Sequence, residues 1–341
     1  MIRAPGDGMD TLGNRLGRLV VVVLAVLGAL VVGWTVFVRV PRDVADLLGV
    51  LFALALAVVA ARAAARIAGR WFAAYDVAEV AVAGPISRDG TTDGLTGGVV
   101  TPPADAVVEQ VERADDDPNV EGLLVKLNTP GGEIVPSDDI RLAVERFDGP
   151  VVAYATDRCA SGGYWIATSC DRLFAREGSL VGSIGVIGST VNAKALAEEL
   201  GVSYERFAAG KYKDAGQPLK ELDEDDRDYL QGLVDDYYDD FVERVAEGRD
   251  LDPATVRETE AKVFLGREAR DRGLVDEIGT ARDAEDALAG ELDHEVTVEA
   301  FRPSPGLLHR IRGGSSALAR AAGTGVAAAL AGDEDADLRL R

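Results

Sequence analysis

Ser161 stands in Ala160-Ser-Gly-Gly-Tyr164, among small residues, where a β-branched run gives way to a helical pattern. A helix N-terminus at such a corner stabilises negative charge. The hydroxyl is therefore placed either to cap the helix or to act as a nucleophile, and a nucleophilic serine needs a neighbouring base. Both histidines, His294 and His309, lie beyond the glycine motifs, which excludes a Ser-His-Asp triad or an HExxH zinc site among them. Carboxylates and lysine remain. Lysine is scarce, six in 341 residues, yet Gly210-Lys-Tyr-Lys-Asp-Ala-Gly216 holds two of the six. A lysine in an apolar site gives up its charge more easily than in water and can then serve as a general base. The alternative is a solvated loop pair.

Two more glycine segments flank Ser161: Asn128-Thr-Pro-Gly-Gly-Glu133 and Gly182-Ser-Ile-Gly-Val-Ile187. A Pro-Gly-Gly turn at a strand end lets the backbone approach a ligand and aim N–H groups at a developing oxyanion. It also makes an ordinary tight βα turn. Neither a GxGxxG fingerprint nor a GxxxxGK[ST] phosphate loop is present. Cys159 and Cys170 match no CxxC spacing and read as small core residues.

These residues must be positioned by an alternation of short apolar runs and helical patterns. Strands are predicted at 77–82, 123–127 and 151–155, and helices at 103–116, 137–147, from Ser161 onward, 193–200 and 224–249. Such βα alternation defines an α/β fold. The last of these helices is so acidic that it reads as a solvated surface helix.

Charge divides the chain. Of 36 basic and 58 acidic residues, residues 1–75 hold eight Arg and four Asp, a net of +4, and the remainder carries −26. That excess repels nucleic-acid phosphate and offers no basic stripe to follow it, so nucleic acid is not a partner. The Asp/Glu-rich, Lys-poor composition is that of a surface solvated in concentrated salt, which points to a halophilic source. The uncharged run 19–38 would be about 30 Å long as a helix, the thickness of a bilayer core. A second run at 44–61 predicts a second span. Arg39 and Arg42 lie between the runs and six other arginines lie outside them, which for two spans puts the large domain on the cytoplasmic side; with one span it would lie outside. The chain is expected to be an integral protein of the cell membrane.

The Pro-Gly-Gly strand end, Ala-Ser-Gly-Gly-Tyr, Gly-Ser-Ile-Gly-Val-Ile and Gly-Lys-Tyr-Lys-Asp occur in that order. Val263-Phe-Leu-Gly-Arg-Glu-Ala269 and Gly273-Leu-Val-Asp-Glu-Ile-Gly279 follow them. Together they resemble the signal peptide peptidase A family of Ser-Lys membrane proteases, in its short single-domain type. The resemblance implies a ClpP/crotonase-like spiral of ββα units, assembly into homo-oligomeric rings, and no metal or organic cofactor. It makes Ser161 the nucleophile, Lys213 the general base, Ser183 the lysine's hydrogen-bond partner, and the Gly132 amide, with Gly131 beside it, the oxyanion hole. The implied substrates are apolar peptides, such as signal peptides left in the membrane. The implied organisation is an anchor over 1–75, a peptidase domain over 76–300 and an Ala/Gly-rich, acidic tail over 301–341. A second apolar run departs from the family's usual single anchor. Two rivals remain. A crotonase-like acyl-CoA hydratase or isomerase would need acid/base carboxylates, and only Glu133 adjoins a glycine loop. A catalytically inactive membrane scaffold would have had no reason to keep Ser161 and Lys213.

Self-repulsion among these charges acts over about 10 Å at 0.1 M salt but only about 3 Å at 1 M. The melting temperature is therefore expected to rise steeply from 0.1 M to molar salt, as scanning calorimetry can read. A flat response would remove the halophilic interpretation.

Overall fold

In the computed structural model the described residues are 7–37, 52, 55–65, 68, 75–92 and 99–303. The chain divides into two compact units, Met1–Phe301 and Arg302–Arg341. Most of the second, like most of the expected tail, lies outside the described residues.

A parallel sheet carries the first unit. β1 (Val77–Ala83) pairs with β4 (Gly122–Thr129) on one side and β10 (Val298–Phe301) on the other, and β4 pairs with β5 (Val151–Ala160). Helices α2 (Ala104–Asp115) and α3 (Ile134–Glu145) make the crossovers β1–β4 and β4–β5, as parallel neighbours require. A short hairpin of β2 (Thr91–Thr92) and β3 (Val99–Thr101) precedes α2. Strand residues alternate between two cores. Ala78, Val80, Val82, Leu123, Val125 and Leu127 face one side with Val107, Val111, Ile140 and Val144 of α2 and α3. On the other side Val77, Leu124, Val152, Tyr154 and Phe174 pack with Ala284 and Leu288 of α9 (Ala281–Glu291). Burial on both faces makes β1 and β4 nearly continuous apolar runs. The α/β expectation is met.

Strand β5 decides the rest. Its first half, Val152–Ala155, pairs with β6 (Arg172–Ala175), and β6 with β9 (Glu277–Ile278). Its second half, Arg158–Ala160, leaves that partner and pairs with β7 (Leu180–Gly182), which pairs antiparallel with β8 (Val263–Leu265). The sheet forks at the strand's end. The sequence pattern stops this strand at residue 155, because Thr156-Asp-Arg158 is polar, but pairing to β7 keeps it extended to Ala160. Helix α3 begins three residues before the predicted start at 137. Pro136 falls in its first turn, where the missing N–H would have had no partner.

The run predicted as a first span is helical within α1 (Asp7–Phe37), and many of its large apolar side chains are exposed, Leu24 and Val31 at 63% each. The two-span expectation is nevertheless not met. Among the described residues, no helix is long and apolar enough to cross a membrane. Of the second run only residues 52 and 55–61 are described, and residues 38–51 lie outside them.

Downstream, α4 (Gly162–Ala167) follows β5, α5 (Lys194–Glu199) comes after β7, and α6 (Glu224–Arg249), capped by the Asp223 carboxylate on the Asp226 N–H, packs its second half on the core through Phe241, Val242, Val245 and Ala246. The predicted solvated face is therefore present, with Glu243, Arg244 and Glu247 of the second half exposed as well, while one apolar stripe of that half is buried. The short helices α7 (Pro253–Arg257) and α8 (Gly266–Asp271) flank β8. Beyond α8 the segment Gly273–Gly279 returns through the core, with Leu274 and Val275 buried. Its Leu274 carbonyl accepts the hydroxyl of fully buried Tyr164 at 2.7 Å, and burial pushes that phenol's pKa upward. Tyr164→Phe leaves a buried carbonyl without its donor, at about 1–2 kcal/mol. The melting temperature should fall by about 2–5 °C, as thermal denaturation can measure.

Candidate active site

The site forms where β4 and β5 end side by side, with Thr129 opposite Cys159 in the register. Beyond Thr129 the chain turns through Gly131 at φ +91°, whose N–H donates to Thr129 Oγ1 at 3.0 Å. The Gly131 carbonyl accepts the Ile86 N–H at 3.0 Å, and the Ile86 carbonyl accepts the Glu133 N–H at 2.9 Å. These two bonds straddle Gly132, whose own N–H has no acceptor among the described residues. Side chains are excluded here. A Cβ on Gly132 would overlap the Ile86 backbone, and one on Gly131 would lie 2.5 Å from the Gly162 nitrogen and 2.7 Å from Ser161 Cβ.

Ser161 occupies the N-cap position of α4 at φ 52°, ψ −123°, yet its side chain makes no capping bond. The capping role is thus not the one it plays. A non-glycine residue at positive φ is strained by about 1–3 kcal/mol and persists only when its surroundings over-determine it. Those surroundings are clear. The Ser161 N–H donates to the Gly182 carbonyl at 2.9 Å, its carbonyl accepts the Trp165 N–H at 2.9 Å, and Gly131 packs on its Cβ. The Gly162 amide is the first of α4, one of the N–H groups a helix leaves unpaired. A Cβ on Gly162 would come within 3.3 Å of the Gly132 nitrogen. Two glycine amides thus converge beside a strained, uncapped hydroxyl.

A cavity of ≈ 110 Å³ opens there, lined by Gly132, Ser161 and Gly162 at one end and by Ile134, Trp165, Val186, Ile187, Tyr237 and Phe241 at the other. It is an apolar slot beside the Ser161 hydroxyl. Only its glycine end was expected. Trp165 lies one helical turn after Ser161, and Tyr237 and Phe241 are an i, i+4 pair on α6 hidden in an acidic segment. That spacing was the available signal.

Ser183 lies beside Ser161, since Ala160 and Gly182 are register partners and each serine is the next residue. It too has positive φ, 54°, and its N–H donates to the Lys262 carbonyl at 2.9 Å. Lys213 is placed elsewhere. It is exposed, in a turn closed by its N–H to Gly210, and lines no part of the cavity. The structure therefore brings Ser161, Ser183, Gly131 and Gly132 together and leaves Lys213 outside in the single chain. Yet Lys213 differs from its kin. Lys126, Lys194, Lys211, Lys220 and Lys262 each form an ion pair with a carboxylate, and Lys213 forms none among the described residues. Lys211, two residues away, meets Asp225 at 2.5 Å, and that hydrogen bond raises its pKa.

The Lys213 turn is moored by charges. Lys220 reaches Asp226 at 2.5 Å and Asp214 at 3.3 Å, and Arg206 Nη2 donates to Asp214 at 2.8 Å.

Comparison with known proteins gives the class. The model of peptidase family S49 matches residues 145–295, which hold Ser161, Ser183 and Lys213. A candidate protease of Synechocystis sp. is 34% identical over 230 residues, 66% of this chain and 83% of that protein. A candidate protease of Methanocaldococcus jannaschii is 36% identical over 180 residues, 52% of this chain and 58% of that protein. A candidate signal peptide peptidase SppA of Enterococcus faecium is 37% identical over 186 residues, 53% of this chain and 54% of that protein. The chain thus spans little more than half the length of these last two. A ClpP1 mutant from Listeria monocytogenes aligns with a TM-score of 0.41 and 16% identity over 60% of this chain and 93% of that one. The chain belongs to peptidase family S49. It is a serine-type peptidase, and the likeness to signal peptide peptidase A read from its motifs is borne out.

The mooring has a pH signature. Burial pushes the Asp214 carboxyl up, but hydrogen bonds from Arg206 and Lys220 outweigh it and hold the group below its ordinary value. A carboxyl lowered by folding contributes in full above its unfolded value, about 3.9, and loses that contribution as pH falls through the lower folded value. Amide exchange over residues 210–220, corrected for intrinsic rates, should be constant from pH 7 to 5 and accelerate only below about pH 4. Loosening already between pH 7 and 5 would assign the mooring to another group.

Proposed function

We propose that the chain is a membrane-attached endopeptidase in which Ser161 is activated by Lys213 of a neighbouring copy, and that it cleaves extended apolar peptides such as residual signal peptides. The observation that carries this reading is a strained, uncapped Ser161 set between two glycine amides and an apolar slot. Neutral Lys213 takes the Ser161 proton as Oγ attacks the peptide carbonyl, and the Gly132 and Gly162 N–H groups hold the oxyanion. The protonated lysine returns the proton to the leaving amine. Water, deprotonated by the same lysine, then attacks the acyl carbon, the bond to Ser161 Oγ breaks, and the lysine returns its proton to that oxygen as the peptide acid leaves. Ser183 hydrogen-bonds the lysine and orients it.

Three features support the finer parts of this reading. Lys213 is the one lysine without a carboxylate ion pair among the described residues. It is exposed in a segment that also exposes Ile187 at 90%, Val191 at 75% and Phe207 at 96%, apolar surface suited to contact between subunits of a ring. Helix α1 exposes many large apolar side chains between Leu19 and Trp34, which suits attachment of residues 1–75 to a membrane beside a peptidase domain at 76–300. The fork of the sheet at β5 fits a ClpP/crotonase-like spiral.

Hydrolysis of an apolar peptide ester should vanish in Ser161→Ala and in Lys213→Ala and persist in Lys211→Ala. Mixing the two inactive variants should restore part of the activity, because mixed rings hold some intact Ser161–Lys213 pairs. Mixtures that stay inactive while Lys213→Ala is dead would place the pair within one chain. Activity in Lys213→Ala would remove the dyad.

A further inference from the structure

The indole of Trp165 is the largest side chain of the slot beside Ser161, and it is held on several sides. Its Nε1–H donates to Asp138 Oδ1 at 2.9 Å. The same oxygen accepts Arg141 Nε–H at 2.8 Å, and Arg141 Nη1 donates to Glu145 at 3.0 Å. The Arg141 guanidinium lies 5.9 Å from the indole centroid, and Phe241 meets the ring edge-on at 5.1 Å and 67°. Arg141 has only 6% of its side chain exposed. Ile134, Asp138 and Arg141 follow at i, i+4 and i+7 on one face of α3. A single stripe of that helix therefore carries both a wall of the slot and the device that fixes another wall.

We propose that Trp165 sets the largest substrate side chain admitted beside Ser161, and that Asp138, locked by Arg141, fixes the indole there. This rests on the peptidase reading above and adds its size limit. At ≈ 110 Å³ the slot is well below the roughly 300–1,000 Å³ of sites for whole small molecules. It takes one side chain, at the residue whose carbonyl Ser161 attacks. Asp138 and Arg141 line no part of it and are positioning residues. Without the carboxylate the indole N–H loses its acceptor, the ring is free to leave its rotamer, and the slot widens.

The test is kcat/KM on three peptides that differ only in that residue: alanine, leucine or phenylalanine. The intact protein should discriminate against phenylalanine. Trp165→Ala should raise the phenylalanine-to-leucine ratio about tenfold or more, the scale on which pocket shape discriminates. Asp138→Ala should raise it about threefold to tenfold through KM, with kcat on the alanine peptide unchanged. Asp138→Asn keeps an acceptor oxygen and should stay within about twofold of the parent. Trp165→Phe removes the donor, so it should raise the ratio by itself and make Asp138→Ala silent when the two are combined. An unchanged ratio in both Asp138→Ala and Trp165→Phe would overturn the proposal. So would an equal fall on all three peptides. If Asp138→Ala does not fold, Trp165→Phe alone decides by the same ratio. Residual hydrolysis in Ser161→Ala would instead overturn the peptidase reading, whatever the ratios.

Discussion

Everything at this site depends on how closely two turns touch. β4 and β5 are hydrogen-bonded neighbours, so the turns that leave them emerge a strand's width apart, and there is no room for side chains between Gly131 and the Ser161–Gly162 turn. That contact holds Ser161 in a backbone conformation serine rarely adopts. It also brings the Gly132 and Gly162 amides to one point. Oxyanion donors are effective when they are in place before the charge develops, and in the proposed mechanism these two amides are held by turns that leave adjacent strands.

The polar mooring and the apolar slot divide the remaining labour. In the first half of α6, Asp225 and Asp226 draw in Lys211 and Lys220 and so hold the turn around Lys213. In its second half, Tyr237 and Phe241 close the slot. One helix thus connects the lysine segment to the wall of the substrate site. Ion pairs absorb the other five lysines. A base must be able to lose its proton, which a neighbouring carboxylate opposes.

Much of this was legible in the sequence, where local chemistry decided the outcome. Strands 77–82 and 123–127, the turn at Gly131 and the corner at Ser161 follow from apolar runs and glycine placement, because those residues meet sequence neighbours or adjacent strands. The slot was not legible. Its walls come from α3, α4 and α6, spread over more than a hundred residues of the chain, and the acidic face of α6 masked the stripe of Tyr237, Phe241 and Val245. Strand β5 likewise outran its own pattern, since Thr156, Asp157 and Arg158 are extended only because β7 is there to pair beyond them. Among the described residues no helix is long and apolar enough to cross a membrane, and most of the second N-terminal run lies outside them.

The two serines at positive φ, Ser161 and Ser183, run against the interests of the fold. Glycine would sit at either position without strain, so each serine makes the folded chain less stable than it would otherwise be. A library of this protein selected only for thermal endurance would therefore drift towards glycine at both sites and, on the proposed mechanism, lose its chemistry in doing so. If the proposed roles hold, heat resistance and catalysis compete directly at these two positions.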